Sequence, residues 1–314
     1  MPASKYIMMD GELVPSAEAR IHVYTPAVRF GAHVFEGIRA YWNDEHDELY
    51  VFRLREHLER LRQGMKIMRY DTIATVEEIT EQVLETIRAN EYRGDVGIRL
   101  SAYVAGEGFI DATGPVSLMV GVEPGAAKSL ADKASRGSVS SWRRIDDNAM
   151  PPRLKCAANY QNSRLGLLDV RGDGHDEPIF LTQEGKVAEG AGACLMMVRD
   201  GQPITSPITA GILESVTRDT MFWIFEEHFS KPVEERAVDR TELYVADELF
   251  LCGSAYEVMP LTTVDGLPVG DGEVGEITAR VWQTYEGVVR GTLPDHPAWR
   301  TPVYGGQPEV RAAE

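Results

Sequence analysis

The sequence predicts a mixed α/β protein, of the α+β kind, organised as two domains. Three observations carry that expectation. Short strand-like runs alternate with segments of helical periodicity along the whole chain. The 314 residues are more than one core usually spans, and the stretch from 123 to 137, EPGAAKSLADKASRG, is small, polar and punctuated by Gly and Pro, as linkers are. An apolar fraction of 43% with 26% charged residues is globular and excludes disorder, collagen and extended coiled coil. The expected division is a small N-terminal α+β domain over 1–122, a linker over 123–137 and a larger C-terminal domain over 138–314.

Each element follows from a local pattern. Tyr6 to Met9 and Glu12 to Val14 read as a hairpin, because Asp10-Gly11 is a strong two-residue turn signal. Between Arg55 and Arg69, Leu58, Leu61, Met65 and Met68 recur at helical spacing. A second helix carries Val76, Ile79, Val83 and Ile87 and opens on Thr75, which forms a capping box with Glu78. Val96 to Val104 and Val116 to Val122 read as strands around a Gly-rich loop, Ala105 to Gly114, long enough for a functional role. Beyond the linker, Ser138 to Trp142 is strand-like and Tyr160 to Val170 helical. Ile179 to Thr182, Val187 to Ala188 and Cys194 to Val198 alternate with the turns Glu184-Gly185 and Asp200-Gly201. Leu249 to Cys252 and Thr262 to Val264 add strands, Val216 to His228 and Ile277 to Val289 add helices, and the tail YGGQPEVRAAE is expected to fray.

With 49 acidic against 32 basic side chains, the net charge of -17 disfavours a sequence-independent grip on nucleic acid or an anionic membrane. No apolar run reaches the roughly 18 residues of a membrane span. The N-terminus also lacks the basic flank of a signal segment, so a cytoplasmic location is expected. Cys156, Cys194 and Cys252 are too few and too far apart for a disulfide framework or a paired-cysteine zinc site. Seven scattered histidines suggest no metal cluster.

The usual hydrolase, zinc-protease and P-loop signatures are missing, and Gly190-Ala191-Gly192 lacks the third glycine of a dinucleotide fingerprint. Lysine is more informative, because the chain has only seven. Lys5, Lys66, Lys128, Lys133, Lys186 and Lys231 lie in termini, helices, the linker or turns, where a solvated charge is the ordinary role. Lys155 differs: in MPPRLKCAANYQNSRLG it follows a rigid Pro-Pro pair and precedes small residues. Its amine can project into a crowded, partly dry space, where desolvation favours the neutral nucleophile.

That segment, SSWRRIDDNAMPPRLKCAANYQNS, resembles the lysine region of the branched-chain aminotransferases, which are fold-type IV pyridoxal phosphate enzymes. RFGAHVFEGIRAY, VFRLREHLERL, AEGAG, SPITAGILESVTRD and LFLCGSAYEVMPLTTVDG match the remaining blocks in order, so the resemblance spans nearly the whole chain. It implies the two-domain fold of that family, shared with D-amino acid aminotransferase, and pyridoxal 5'-phosphate bound mostly by the larger domain. It also assigns roles. Lys155 matches the lysine that forms the Schiff base and moves the proton. Glu189 matches the carboxylate at the ring nitrogen, and Tyr160 the tyrosine at the ring hydroxyl. Arg53, Val216, Thr217 and Ser254 match the phosphate contacts. A guanidinium and a helix N-terminus are both suited to a phosphate dianion.

The reaction implied is transamination in two half-reactions, between a small-molecule amino donor and a keto acid acceptor. By the same resemblance, Phe30, Phe35 and Gly37 line an apolar side-chain pocket, Arg39 and Arg99 are pocket arginines, and Ser254-Ala255 is the turn that receives an α-carboxylate. These favour a branched-chain or other apolar L-amino acid with 2-oxoglutarate. Three departures bear on that choice. Gly97 stands where the family usually carries a tyrosine, Ala193-Cys194 replaces a Glu-Asn pair, and Ala126-Ala127 replaces larger residues. The alternatives are a D-amino acid or (R)-amine transaminase of the same fold and, behind it, an aminodeoxychorismate lyase-like reaction. The resemblance further implies a homodimer or a multiple of one, with Ala105 to Gly114 as the loop that reaches the neighbour.

Overall fold

The computed structural model describes residues 4–125 and 128–305. The chain forms two compact units, Met1–Ala127 with Glu286–Glu314, and Lys128–Tyr285.

The first unit is built on one antiparallel sheet. It opens with the expected hairpin, β1 (Tyr6–Met9) and β2 (Glu12–Pro15), in which Asp10 and Gly11 both take positive φ, as a tight twisted turn requires. A short helix α1 (Pro26–Phe30) leads into β3 (His33–Asn43), paired in turn with β4 (Glu48–Phe52). Two helices follow, α2 (Leu54–Ile67) and α3 (Val76–Asn90), and then β5 (Val96–Val104) and β6 (Val116–Pro124). The capping box at Thr75 and Glu78 is fully formed. The sheet is completed at the β4 edge by the C-terminal strand Arg300–Pro302.

Alternation along β3 separates two faces. Val34, Glu36, Ile38 and Ala40 are buried, with β3 contacting α2, while Phe35, Gly37 and Arg39 point the other way. The register carries that second face across the sheet, setting Phe35 opposite Ser101, Gly37 opposite Arg99, and Arg39 opposite Gly97.

The second unit starts with a single helical turn, α4 (Leu130–Lys133), capped by Ser129, and β7 (Ser135–Arg143). Next come α5 (Tyr160–Gly172), β8 (Glu177–Leu181), β9 (Cys194–Arg199), β10 (Gln202–Thr205) and α6 (Val216–Phe229). After the two-residue strand β11 (Glu234–Glu235), the hairpin β12 (Glu248–Gly253) and β13 (Glu257–Val264) precedes the helix α7 (Glu276–Arg290), whose residues from Glu286 on are grouped with the first unit. The sheet runs β11-β10-β9-β12-β13-β7-β8, with Leu267–Pro268 pairing β13, and among the described residues it is parallel at β10/β11, β13/β7 and β7/β8 and antiparallel elsewhere. Leu195, Met197, Leu249, Leu251 and Leu261 form the centre of its apolar core.

Four expectations change. Glu286–Glu314 groups with the first unit rather than with 138–314, because Arg300–Pro302 pairs with β4, a long-range pairing that local pattern does not encode. The segment 123–137 is not a plain linker: it contains the end of β6, all of α4 and the start of β7. Val187 makes only an isolated bridge instead of a strand. In the tail, Tyr304 is tied down by a 2.6 Å hydrogen bond from its hydroxyl to the Tyr92 carbonyl. The remainder of the tail from 306, and Ala126 and Ala127, lie outside the described residues.

Candidate active site

The chemistry converges in a cavity of the second unit, lined by Lys155, Tyr160, Glu189, Arg144, Asn159 and the small residues Ala191 to Ala193. Lys155 lies on the irregular loop between β7 and α5, and Tyr160 is the first residue of α5. Five residues of chain bring the Lys155 amine to 2.7 Å from the Tyr160 hydroxyl.

Glu189 is 4% exposed, on the segment between β8 and β9. Its Oε1 receives Arg144 Nη2 at 2.6 Å, and its Oε2 accepts the Leu213 N–H at 3.2 Å. Arg144, just past β7, is itself buried and also donates to the Gly211 carbonyl at 3.1 Å. Polar atoms taken out of water are costly unless they find such hydrogen-bond partners. The Cys194 thiol also faces Glu189 Oε2, at 3.8 Å. Burial, and then the Glu189 carboxylate, push the Cys194 thiol well above its ordinary range, so it is not a poised nucleophile. On the neighbouring strand, burial pushes Cys252 up to about 12.

Gly253 explains the small residues around Glu189. A Cβ there would sit 3.1 Å from the Gly192 carbonyl and 3.3 Å from Ala193 Cβ, so the start of the Ser254-Ala255 turn rests directly on this segment. Past the turn, Glu257 takes a positive φ of 59° and forms a buried ion pair with Lys133, whose amine lies 4.0 Å over the Trp282 ring. The expectation of a solvated Lys133 is therefore corrected: it is 7% exposed. No local signal links residues 124 positions apart.

Val216 and Thr217 are buried at the start of α6, a 14-residue helix capped by Ser215. Arg218 anchors this end through the Ser206 carbonyl at 3.0 Å and an ion pair with Glu235. The backbone N–H groups of such a terminus suit an anion.

The remaining expected residues belong to the first unit. Arg53 is 7% exposed and holds a left-handed backbone with φ of 51° just before α2. Its Nε donates to Glu56 at 2.8 Å, its N–H to the Trp299 carbonyl at 2.6 Å, and its guanidinium lies 4.4 Å over the Trp299 ring. Phe35, Gly37, Arg39 and Arg99 share one face of the sheet, with the Arg99 guanidinium 4.4 Å over the Phe35 ring. Phe30 ends α1, with its ring 6.4 Å from that of Phe109. An added Cβ at Gly37, Gly97 or Gly121 would meet nothing within 4 Å, so this face is open where the glycines stand.

Sequence reasoning therefore missed Arg144, Asn159, Trp299 and the Lys133–Glu257 pair.

Comparison with known proteins gives a consistent result. A family model described as "Amino-transferase class IV" matches residues 33–264. A curated protein of Aquifex aeolicus, named "Probable branched-chain-amino-acid aminotransferase", is 38% identical over 303 residues, covering 95% of this chain and 97% of that one. The branched-chain amino acid aminotransferase of Thermobaculum terrenum, solved in its PLP-form, is 40% identical with a TM-score of 0.91, over 96% of this chain and 99% of that one. The branched-chain aminotransferase of the archaeon Thermoproteus uzoniensis, solved with norvaline, is 38% identical with a TM-score of 0.90, over 96% of this chain and 100% of that one. Identity of this extent along the entire fold, on a chain that gathers a lysine, a tyrosine and a buried carboxylate into one cavity, makes this protein a member of the class IV amino-transferase family.

Proposed function

We propose that this protein is a pyridoxal phosphate-dependent transaminase that moves the amino group of branched-chain or other apolar L-amino acids to 2-oxoglutarate. The observation that carries the reading is the grouping of the Lys155 amine, the Tyr160 hydroxyl and the Arg144-paired Glu189 carboxylate around one cavity. Those donors and acceptors fit the cofactor: an amine for its aldehyde, a phenol for its ring oxygen and a buried carboxylate for its ring nitrogen. Arg53, the α6 N-terminus at Val216 and Thr217, and Ser254 are the groups proposed for its phosphate. When bound, the cofactor supplies an electron sink for the electron pair left as the substrate Cα–H bond breaks. Lys155 Nζ would hold the cofactor, and the same amine would move the proton at the substrate Cα. The Tyr160 hydroxyl orients that amine, and the Glu189 carboxylate holds a proton at the ring nitrogen. Donor and keto acid use the site in turn, in a ping-pong sequence. Phe30, Phe35 and Gly37 are proposed for the apolar side chain, Arg39 and Arg99 for the acceptor's distal carboxylate, and the Ser254-Ala255 turn for the α-carboxylate. The names of the relatives, and the norvaline with which one of them was solved, support the choice of an apolar amino acid.

A second reading rests on Gly97. With open space beyond it, the face beside Arg39 is wider than a tyrosine would leave it, which favours D-amino acids or (R)-amines. The test is spectroscopic. L-leucine or L-valine should bleach the visible band of the cofactor-loaded protein, and 2-oxoglutarate should restore it. Failure of both donors overturns the branched-chain reading, and bleaching by D-amino acids or (R)-amines alone moves the assignment to the second. Pyruvate release without an acceptor would identify a lyase. We also propose a homodimer or a multiple of one, supported by the exposed Phe109 and Ile110, 70% and 71% accessible on the Gly-rich loop. Light scattering that finds an active monomer overturns it.

A further inference from the structure

We propose that Asn159 is a positioning residue for Lys155, acting on its backbone. The proposal rests on Lys155 being the cofactor-holding lysine, and goes beyond it by saying what sets the amine's place. Asn159 is 4% exposed. Its Nδ2 donates to the Pro151 carbonyl at 3.0 Å and to the Leu154 carbonyl at 2.9 Å. Leu154 immediately precedes Lys155, and its carbonyl also accepts the Cys156 N–H at 2.8 Å, while the Asn159 N–H donates to the Cys156 carbonyl at 3.1 Å. The loop from 151 to 156 is thus tied at both ends to the start of α5. The next residue, Tyr160, holds the amine itself. Two successive residues therefore fix the lysine at its two ends, one at the main chain and one at Nζ.

The amide's orientation is settled by its partners, since two carbonyls require a donor. Oδ1 is left without a partner among the described residues, on a side chain that borders the cavity. An alternative role as a helix cap does not fit: Asn159 occupies the N-cap position of α5, yet its side chain makes no capping bond. What the side chain does is hold the lysine loop. Displacement of a reacting group by about 1 Å can cost about a hundredfold in rate, so a clamp at this point acts on chemistry without touching a substrate.

Asn159→Asp keeps the shape and exchanges the two donated hydrogen bonds for repulsion against two carbonyls. Asn159→Ala removes the clamp without that repulsion and decides the matter where the first variant does not fold. The full-length protein, loaded with pyridoxal phosphate, is reduced with borohydride. Mass spectrometry then gives the fraction of Lys155 carrying the phosphopyridoxyl group, relative to total bound cofactor from phosphorus analysis. Circular dichroism at the same temperature establishes that the protein is folded. The clamp predicts a fall in labelled Lys155 per bound cofactor, with a half-reaction rate lower by about tenfold or more. A purely structural role would lower folding and total binding together and leave the ratio unchanged, and an unchanged ratio overturns the proposal. If unsubstituted protein binds the cofactor but is not labelled at Lys155, the cofactor reading itself fails, and the clamp with it.

Discussion

Two buried carboxylates, one in each unit, are held in nearly the same way and differ in what lies beside them. In the first unit, Glu36 is fully buried, with Arg60 donating at 2.8 and 2.7 Å and His57 Nδ1 at 2.8 Å, so both oxygens are occupied from α2. In the second, Glu189 is 4% exposed and paired with Arg144 at 2.6 Å, but it borders a cavity that also holds an amine and a phenol. Burial, an arginine partner and short contacts therefore do not distinguish a chemical carboxylate from a structural one. Access to a cavity shared with an amine and a phenol is what sets Glu189 apart. On β3, Glu36 faces away from Phe35, Gly37 and Arg39, so its residue type points to a site while its orientation assigns it to packing.

The largest effect expected from this comparison is at the amine. Lys155→Ala should abolish turnover, leaving less than about one part in a thousand, because it removes the group proposed as general acid and base and as the covalent hold. The variant should melt close to the unsubstituted protein, since half-buried Lys155 is not part of the apolar core. Residual turnover near the native rate would move the chemistry to another group.

The two carboxylates come next, as a crossed pair. On the proposed role of Glu189 at the ring nitrogen, Glu189→Gln should lower the half-reaction rate by about a hundredfold or more, as removal of a preorganised electrostatic group does. Glu36→Gln should leave the rate of folded protein unchanged and cost about 3–5 kcal/mol in urea unfolding, because it leaves the largely covered Arg60 guanidinium without its anion. Should Glu36→Gln instead slow the chemistry and spare stability, the distinction drawn between the two sites is wrong. Lys133→Met belongs with the structural member of the pair. It removes the cation beside buried Glu257 and should destabilise the second unit by a similar amount, while Lys133→Met with Glu257→Leu should recover most of the loss.

How much of this was legible follows the range of each interaction. The α3 helix and its capping box, the β1–β2 hairpin and the β5–β6 strands are written in residues a few positions apart, and all are present. The 11-residue strand β3 was not marked by periodicity, because its inward face carries Glu36 and its outward face mixes Phe35, Gly37 and Arg39. Lys155, Tyr160 and Glu189 were singled out mainly through family blocks; of these, only Lys155 had an argument from its own neighbourhood. Arg144, Asn159 and Trp299 became visible only when their partners did. Arg144 meets Glu189 across 45 positions, and Arg53 meets Trp299 across 246.

The smallest expected effects are in pH dependence, and the two units again differ in sign. Burial, and then Arg99, hold His33 down to about 4 from 6.5. The unfolded chain therefore takes up this proton first, and stability present above pH 6.5 declines as pH falls toward 4. Burial alone would raise Glu36, but the Arg60 charge and hydrogen bonds, with those of His57, hold it at about 2 against 4.5. Its contribution is present above 4.5 and is lost as pH falls through about 2. Glu177, in the second unit, goes the other way: burial raises it, despite a hydrogen bond from Tyr256 and the charge of Arg171. A raised carboxyl contributes stability that is full below 4.5 and lost as pH rises through its folded value. Urea unfolding from pH 7.5 to 3 should therefore show His33→Gln flattening the decline between 6.5 and 4, and Glu177→Gln steepening it. If both variants shift the curve in the same direction, the two environments are not of opposite sign, and at least one of these burial assignments is wrong.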